Sequence, residues 1–244
     1  MKLNPFMRYF GSKFRSAAKY PPPRYGVIVE PFAGGAGYSL NYADRDVLLV
    51  EKNPDVAAVW QWLIQADPDE ILALPLVAPC EMIPEGLPQA ARNFIGWWTH
   101  MGAAKPQMRM VPCAANSPAC FWNASIRART AKNVTKIRHW TCICGDWTEL
   151  LDLDGPITFF VDPPYQVWGR AYANSDIEYP VLGAWCQTRI GQVIACEQVG
   201  DPMPSWLPFE EFATIKGGVR RTVGNKPSKE AIWTNETRVH RGPF

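Results

Sequence analysis

Residues 157–165 read ITFFVDPPY. The first five are almost continuously apolar and rich in β-branched and aromatic types, the pattern of a strand covered on both faces. Asp-Pro-Pro then ends the run, because a proline has no N–H to give a central ladder. Four more runs have the same character: 26–30 (GVIVE), 47–51 (VLLVE), 140–145 (WTCICG) and 192–197 (QVIACE). None alternates polar with apolar, as expected for a parallel sheet sandwiched between helices. Between them, 53–66 (NPDVAAVWQWLIQA) repeats apolar residues at three and four, with Pro54 suited to a first helical position. Residues 67–74 (DPDEILAL) open on a capping Asp67 and an acidic first turn. Strand, turn and helix in alternation predict an α/β fold built on a doubly wound sheet.

The stretch 75–139 breaks this rhythm. It is rich in Pro, Gly, Ala, Asn and Trp, and reads as an insertion with small helices and loops of its own. The expected organisation is therefore one unit, 1–74 and 140–244, carrying an insertion at 75–139. Near the C-terminus, FATI (212–215) and EAIWTN (230–235) flank the Gly- and Arg-rich GGVRRTVGNKPSK. This pattern predicts a long hairpin closing the sheet edge with an antiparallel strand.

Composition narrows the class. At 244 residues, 47% hydrophobic and 20% charged, the chain suits one soluble globular domain with an insertion and is unlike a disordered one. No run approaches the roughly 18 apolar residues of a membrane span. The N-terminus, MKLNPFMRYFGSKFRSAAKYPPPR, is basic but lacks an apolar core, so no secretory signal is expected. Seven cysteines without a CxxC pair point to reduced thiols in a cytoplasm, with no metal site.

The net charge of +2 conceals a strong segregation. Residues 1–29 hold six Lys/Arg, 86–145 hold eight and 212–229 hold five, all without a single acid. The rest of the chain carries six basic residues against all 23 acids. An acid-free stretch of 60 residues is hard to obtain by chance in such a chain, and a surface for a polyanion is the better reading.

Three features carry chemistry. Asp162-Pro163-Pro164-Tyr165 sits at the carboxyl end of a predicted strand, where open α/β sheets bind ligands. Its prolines stiffen the backbone, so a main-chain carbonyl and the Asp162 carboxylate can converge on one exocyclic NH₂. Tyr165 offers a face for stacking a base. Accepting both N–H bonds of a conjugated amine frees its lone pair to attack an activated methyl group. Second, VEPFAGGAGYSL (29–40) ends the first strand with a glycine-rich loop that lets a ligand approach the backbone. Third, Glu51 and Asp146 end the next two strands. Glu51 suits the hydroxyls of a ribose, and Asp146 an adenine amino group or a helix cap.

In this order the pieces resemble the alpha-group, Dam-like N6-adenine DNA methyltransferases, particularly the small versions common in bacteriophages and prophages. RYFGSKFR (8–15) is similar to their N-terminal motif, EPFAGGAG (30–37) to their S-adenosyl-L-methionine loop, and DPPY (162–165) to their catalytic motif. KEAIWTN (229–235) is similar to the closing strand of phage members. The likeness spans roughly residues 8–235 and fails in 75–139, where target-recognition segments of this family vary most. One departure is VEKN at 50–53, where related members often read NDxD.

The resemblance implies a Rossmann-like S-adenosylmethionine-dependent methyltransferase sheet with an inserted basic target-recognition region. It implies that Tyr9, Gly11 and Lys13 pack against the methionine part of the cofactor and that Pro31, Phe32, Gly34 and Gly37 form the cofactor loop. Glu51 then binds the ribose and Asp146 the adenine, and Asp162, Pro163, Pro164 and Tyr165 are catalytic. The partner is double-stranded DNA, with no membrane and no obligate protein partner. Within the basic insertion, FWNASIRARTAKN (121–133) is the densest polar run. Arg127, Arg129 and Asn133 have shapes suited to base edges, whereas Lys132 and Lys136 suit phosphates. The rival readings are an N4-cytosine methyltransferase, an RNA or protein-glutamine methyltransferase, and an inactive DNA-binding relative. Of the tryptophans, Trp97, Trp98, Trp122, Trp140 and Trp168 are expected more in the core than on DNA.

Overall fold

Each of the five apolar runs forms a strand: β1 Val27–Glu30, β2 Asp46–Glu51, β3 Thr141–Cys144, β4 Ile157–Val161 and β5 Gln192–Gln198. The computed structural model describes residues 1–101, 105–166, 176–215 and 228–236. Two more strands, β6 Glu210–Ile215 and β7 Ser228–Thr234, complete a seven-stranded sheet in the order β3-β2-β1-β4-β5-β7-β6. β1 to β5 run parallel. β7 pairs antiparallel with β5 and with β6, so the expected hairpin closes that edge. The chain winds outward from β1 through β2 to β3, then returns to β4 on the other side of β1. The strand order thus reverses between β1 and β4.

Side chains of the central strands alternate between two cores, the period of two that a pleated strand imposes. Ile28, Leu49, Phe160, Ile194 and Ile232 enter one, and Val29, Val50, Phe159, Val193 and Ala231 the other. A strand with both faces covered must be apolar throughout, which is why these runs do not alternate. β3, at the edge, is the one parallel strand whose residues are all at least partly exposed.

The helices follow their local signals. α1 Pro54–Gln65 has Asn53 as its N-cap, accepting from Asp55 N, with Pro54 in the first turn. α2 Pro68–Ala73 starts from the capping box of Asp67 and Glu70. α3 Gln89–Gly96 and α4 Ala124–Val134 lie in the insertion, and α5 Tyr179–Thr188 covers the second core. Among the described residues of 75–139 no strand joins the sheet, and α4 packs on α2 while α3 packs on α1. The insertion is not a separate body. Phe94, Trp97, Trp98 and Trp122 share one apolar cluster with Trp60 of α1 and Ile28 of β1. Trp97, Trp98, Trp122 and Trp140 are all buried, and Trp168 lies outside the described residues. Among the described residues, no helix is long and apolar enough to cross a membrane.

Candidate active site at the ends of β1 and β4

Two loops leave the sheet side by side where its order reverses. After β1, Gly34 takes a positive φ of 45° and Ala36 one of 46°, turning the chain sharply. A Cβ at Gly34 would stand 2.7 Å from the Tyr9 ring, and one at Gly37 2.5 Å from the Phe14 backbone nitrogen. Any other residue type here would drive the N-terminal segment off the loop. The loop is further pinned by Trp60 Nε1, which donates to the Gly34 carbonyl at 2.8 Å. Ser12 Oγ is buried against Gly35 and Gly37 and has no hydrogen-bond partner among the described residues.

Glu51, at the end of β2, is buried, and its two oxygens accept from Gly34 N and Asn53 N, each at 2.8 Å. Burial raises its pKa while these two N–H groups oppose the rise. Asp146 caps the short helical turn Trp147–Leu150 by accepting from Thr148 N at 3.1 Å. The same carboxylate meets Lys52 Nζ at 3.0 Å. Partial burial works against its charge, yet the Thr148 bonds and Lys52 hold its pKa below the ordinary value. The cap is therefore present, and Lys52 is an additional neighbour that the sequence did not announce.

After β4, the Asp162 side chain is only 17% exposed. Lys13 Nζ donates to both of its oxygens, at 2.8 and 3.0 Å. Lys13, assigned from the resemblance to the cofactor, thus lies on the DPPY carboxylate. Burial raises the Asp162 pKa, and the ammonium pulls it back. For Lys13 burial opposes the charge, but Asp162 and Glu230 together hold its pKa above the usual range. Its Nζ also lies 4.6 Å over the Tyr165 ring. The Tyr165 hydroxyl donates to Glu230 Oε2 at 2.5 Å, and the Tyr179 hydroxyl donates to the Pro164 carbonyl.

Several buried acids here were not singled out by sequence reading. Glu30 ends β1 and accepts from Ser39 N at 2.8 Å, and burial pushes its pKa up to about 8. Glu197 of β5 accepts from Trp206 Nε1 at 3.1 Å and from Gln166 N at 3.4 Å, just past the DPPY motif. Glu230 stands on β7. The available signal was an acid closing or interrupting an apolar strand, as in GVIVE, QVIACE and KEAIW.

The five residues expected on DNA divide. Lys132 is exposed. Arg127 Nη1 donates to the Leu74 carbonyl at 2.7 Å, and Arg129 Nη2 to the Pro5 carbonyl at 3.3 Å. Asn133 bonds back to the Arg129 carbonyl, and Lys136 bonds to Asn133. In this structure the two arginines brace the insertion against α2 and the N-terminal segment. Arg8 and Arg129 both lie over the Trp98 ring, so the first two acid-free blocks meet there. Of the third block, Lys216, Arg220, Arg221 and Lys226 lie outside the described residues, and Lys229 pairs with Glu211 at 3.0 Å.

No known protein family matches the chain, and no curated protein matches it. Among solved structures it is similar to a conserved hypothetical protein of Streptococcus pyogenes, with 13% identity over 84% of each chain and a TM-score of 0.35. A likeness that slight has no bearing on function.

Proposed function

We propose that the chain is a site-specific DNA methyltransferase that uses S-adenosyl-L-methionine to methylate the exocyclic N6 amine of an adenine flipped out of duplex DNA. One observation carries this reading. The DPPY segment and the glycine loop leave adjacent strands, β4 and β1, at the point where the strand order turns back, the position at which open α/β sheets bind ligands.

The residues at the loop fit the cofactor. The Ser12 hydroxyl has no hydrogen-bond partner among the described residues, and Glu51 keeps lone pairs beyond the two that its backbone donors use. Glu51 would hold the ribose and Asp146 the adenine. When bound, the cofactor supplies a methyl group on a positively charged sulfur.

The chain's own residues then act on the base. Tyr165 stacks it on the ring face opposite Lys13. Asp162 accepts one N–H of the amine, while Lys13 occupies a single lone-pair direction on each oxygen. The second N–H goes to a main-chain carbonyl of the same turn, where that of Pro164 also accepts from Tyr179. Both bonds draw the nitrogen toward tetrahedral geometry. Asp162, bonded to the amine in this arrangement, is the base that would take the proton the nitrogen loses on alkylation. The acid-free basic blocks and exposed Lys132 supply the attraction to phosphates. We place the chain in a bacterial cytoplasm, where DNA and cofactor occur together.

The test is incubation with methyl-labelled S-adenosylmethionine and unmethylated duplex DNA, followed by nucleoside analysis. Label in N6-methyladenine is expected. Label in N4-methylcytosine would transfer the reading to the cytosine class, and no labelled nucleoside would overturn it.

A further inference from the structure

Glu230 is a buried carboxylate without a role in the transfer step set out above. It lies on β7 opposite Gln198 of β5 and is 6% exposed. Its Oε2 accepts the Tyr165 hydroxyl at 2.5 Å and the Tyr20 hydroxyl at 3.5 Å, and stands 3.9 Å from Lys13 Nζ. Tyr20 is itself fixed, edge-on to Phe160 and stacked on Phe212. Taking a carboxylate out of water is unfavourable unless charge-assisted bonds offset the loss, and an apolar side chain would fill this space without that cost. What an apolar side chain would not supply is an acceptor for Tyr165 and a second counter-charge for Lys13.

The geometry of Tyr165 gives the acceptor its purpose. Its backbone end is stiffened by Pro163 and Pro164, and its hydroxyl end is tied to Glu230. Lys13 covers one ring face. From the other side of the sheet, Glu197 holds Gln166 N, so the DPPY segment is gripped through both faces. Glu197 and Glu230 achieve this because they occupy neighbouring strands one register step apart, and successive side chains point to opposite faces.

We infer that Glu230 is a positioning residue for methyl transfer: through the Tyr165 hydroxyl it fixes the ring on which the target base stacks. This rests on the function proposed above.

The test is steady-state kinetics on wild type, Glu230→Ala, Glu230→Gln, Tyr165→Phe and the Tyr165→Phe/Glu230→Ala double variant. Wild type is read first, and if it methylates no DNA the proposed function falls and this inference with it. With an active wild type, Glu230→Ala should lower kcat about tenfold and leave KM for the cofactor unchanged, because the tether orients the base rather than the cofactor. Glu230→Gln keeps an oxygen acceptor and should recover most of the loss. In the Tyr165→Phe background the tether is already absent, so Glu230→Ala should add little. If Glu230→Ala fails to fold, Glu230→Asp, one methylene short, takes its place and must show the same loss. Wild-type kcat in the alanine or aspartate variant, or losses that multiply in the double variant, would overturn the role of Glu230 and leave the proposed function standing.

Discussion

Lys13 Nζ bonds to both carboxylate oxygens of Asp162, at 2.8 and 3.0 Å, across 149 positions of sequence. The N-terminal segment is thereby tied directly to the end of β4. Burial at this depth works against the charged form of Asp162, and the Lys13 ammonium opposes that effect.

Removing Asp162 should therefore have two separable effects. Asp162→Ala should lower methyl transfer on the order of 10²–10³, by analogy with the loss of one oxyanion-hole donor, while calorimetry still detects cofactor binding. It also removes the closer of the two acids that face the buried Lys13 among the described residues, so urea unfolding should show a loss of about 3 kcal/mol. Lys13→Met in the same background should restore most of that stability and none of the activity. A variant unable to bind S-adenosylmethionine would place Asp162 in the cofactor site instead.

Glu51→Ala should weaken cofactor binding by roughly 1.5–3 kcal/mol, the loss of a charged acceptor for two hydroxyls. Part of that loss comes through Gly34, whose N–H bonds to Glu51 and helps set the loop. DNA affinity should change little. An unchanged cofactor dissociation constant would move the ribose contact elsewhere, with Asp55 the next candidate.

Glu30 makes stability depend on pH in a defined direction. Its folded pKa is raised from 4.5 to about 8, because burial disfavours the charged form. A raised pKa means that its contribution is full below 4.5 and is lost as pH rises through about 8. Wild type should therefore lose stability progressively from pH 4.5 to about 8 and no further above it, and Glu30→Gln should flatten that fall. Urea unfolding of the two proteins across this range is the measurement, and parallel curves would refute the assignment.

The arginines of α4 should behave as braces. Arg127→Ala and Arg129→Ala each remove a bond to a main-chain carbonyl and should lower unfolding stability by about 1 kcal/mol. Lys132→Ala, on the exposed side, should weaken DNA binding on cognate and scrambled duplexes alike and reduce the salt slope by about one. Full stability with lost sequence discrimination in either arginine variant would return that residue to base reading.

Five strands, two helices and the closing hairpin were legible because each is specified locally. A fully covered strand must be apolar along its length, and Asn53 and Asp67 cap the two helices that follow them. The DPPY segment was legible for a similar reason, since prolines after an apolar run end a strand and leave its last carboxylate at the sheet's edge. The three glycines of the loop were legible as conformational requirements that would admit a ligand, but the neighbour they admit in the structure, the segment from Tyr9 to Phe14, was not.

By itself, then, the sequence determined the α/β architecture, the point where each main strand stops and the acidic residues stationed at those points, because periodicity, capping and proline act over a few residues. The tertiary structure alone decided which charges meet. Lys13 reaches Asp162, Glu230 reaches Tyr165, and Arg127 and Arg129 turn to the carbonyls of Leu74 and Pro5. Each of these contacts joins segments 53 to 149 residues apart. Their partners are set by strand order and by which face of the sheet a residue occupies, and neither is written in the spacing of residues along the chain. A charge in a sequence carries no address, and only the packing that removes it from water selects the group that must compensate it.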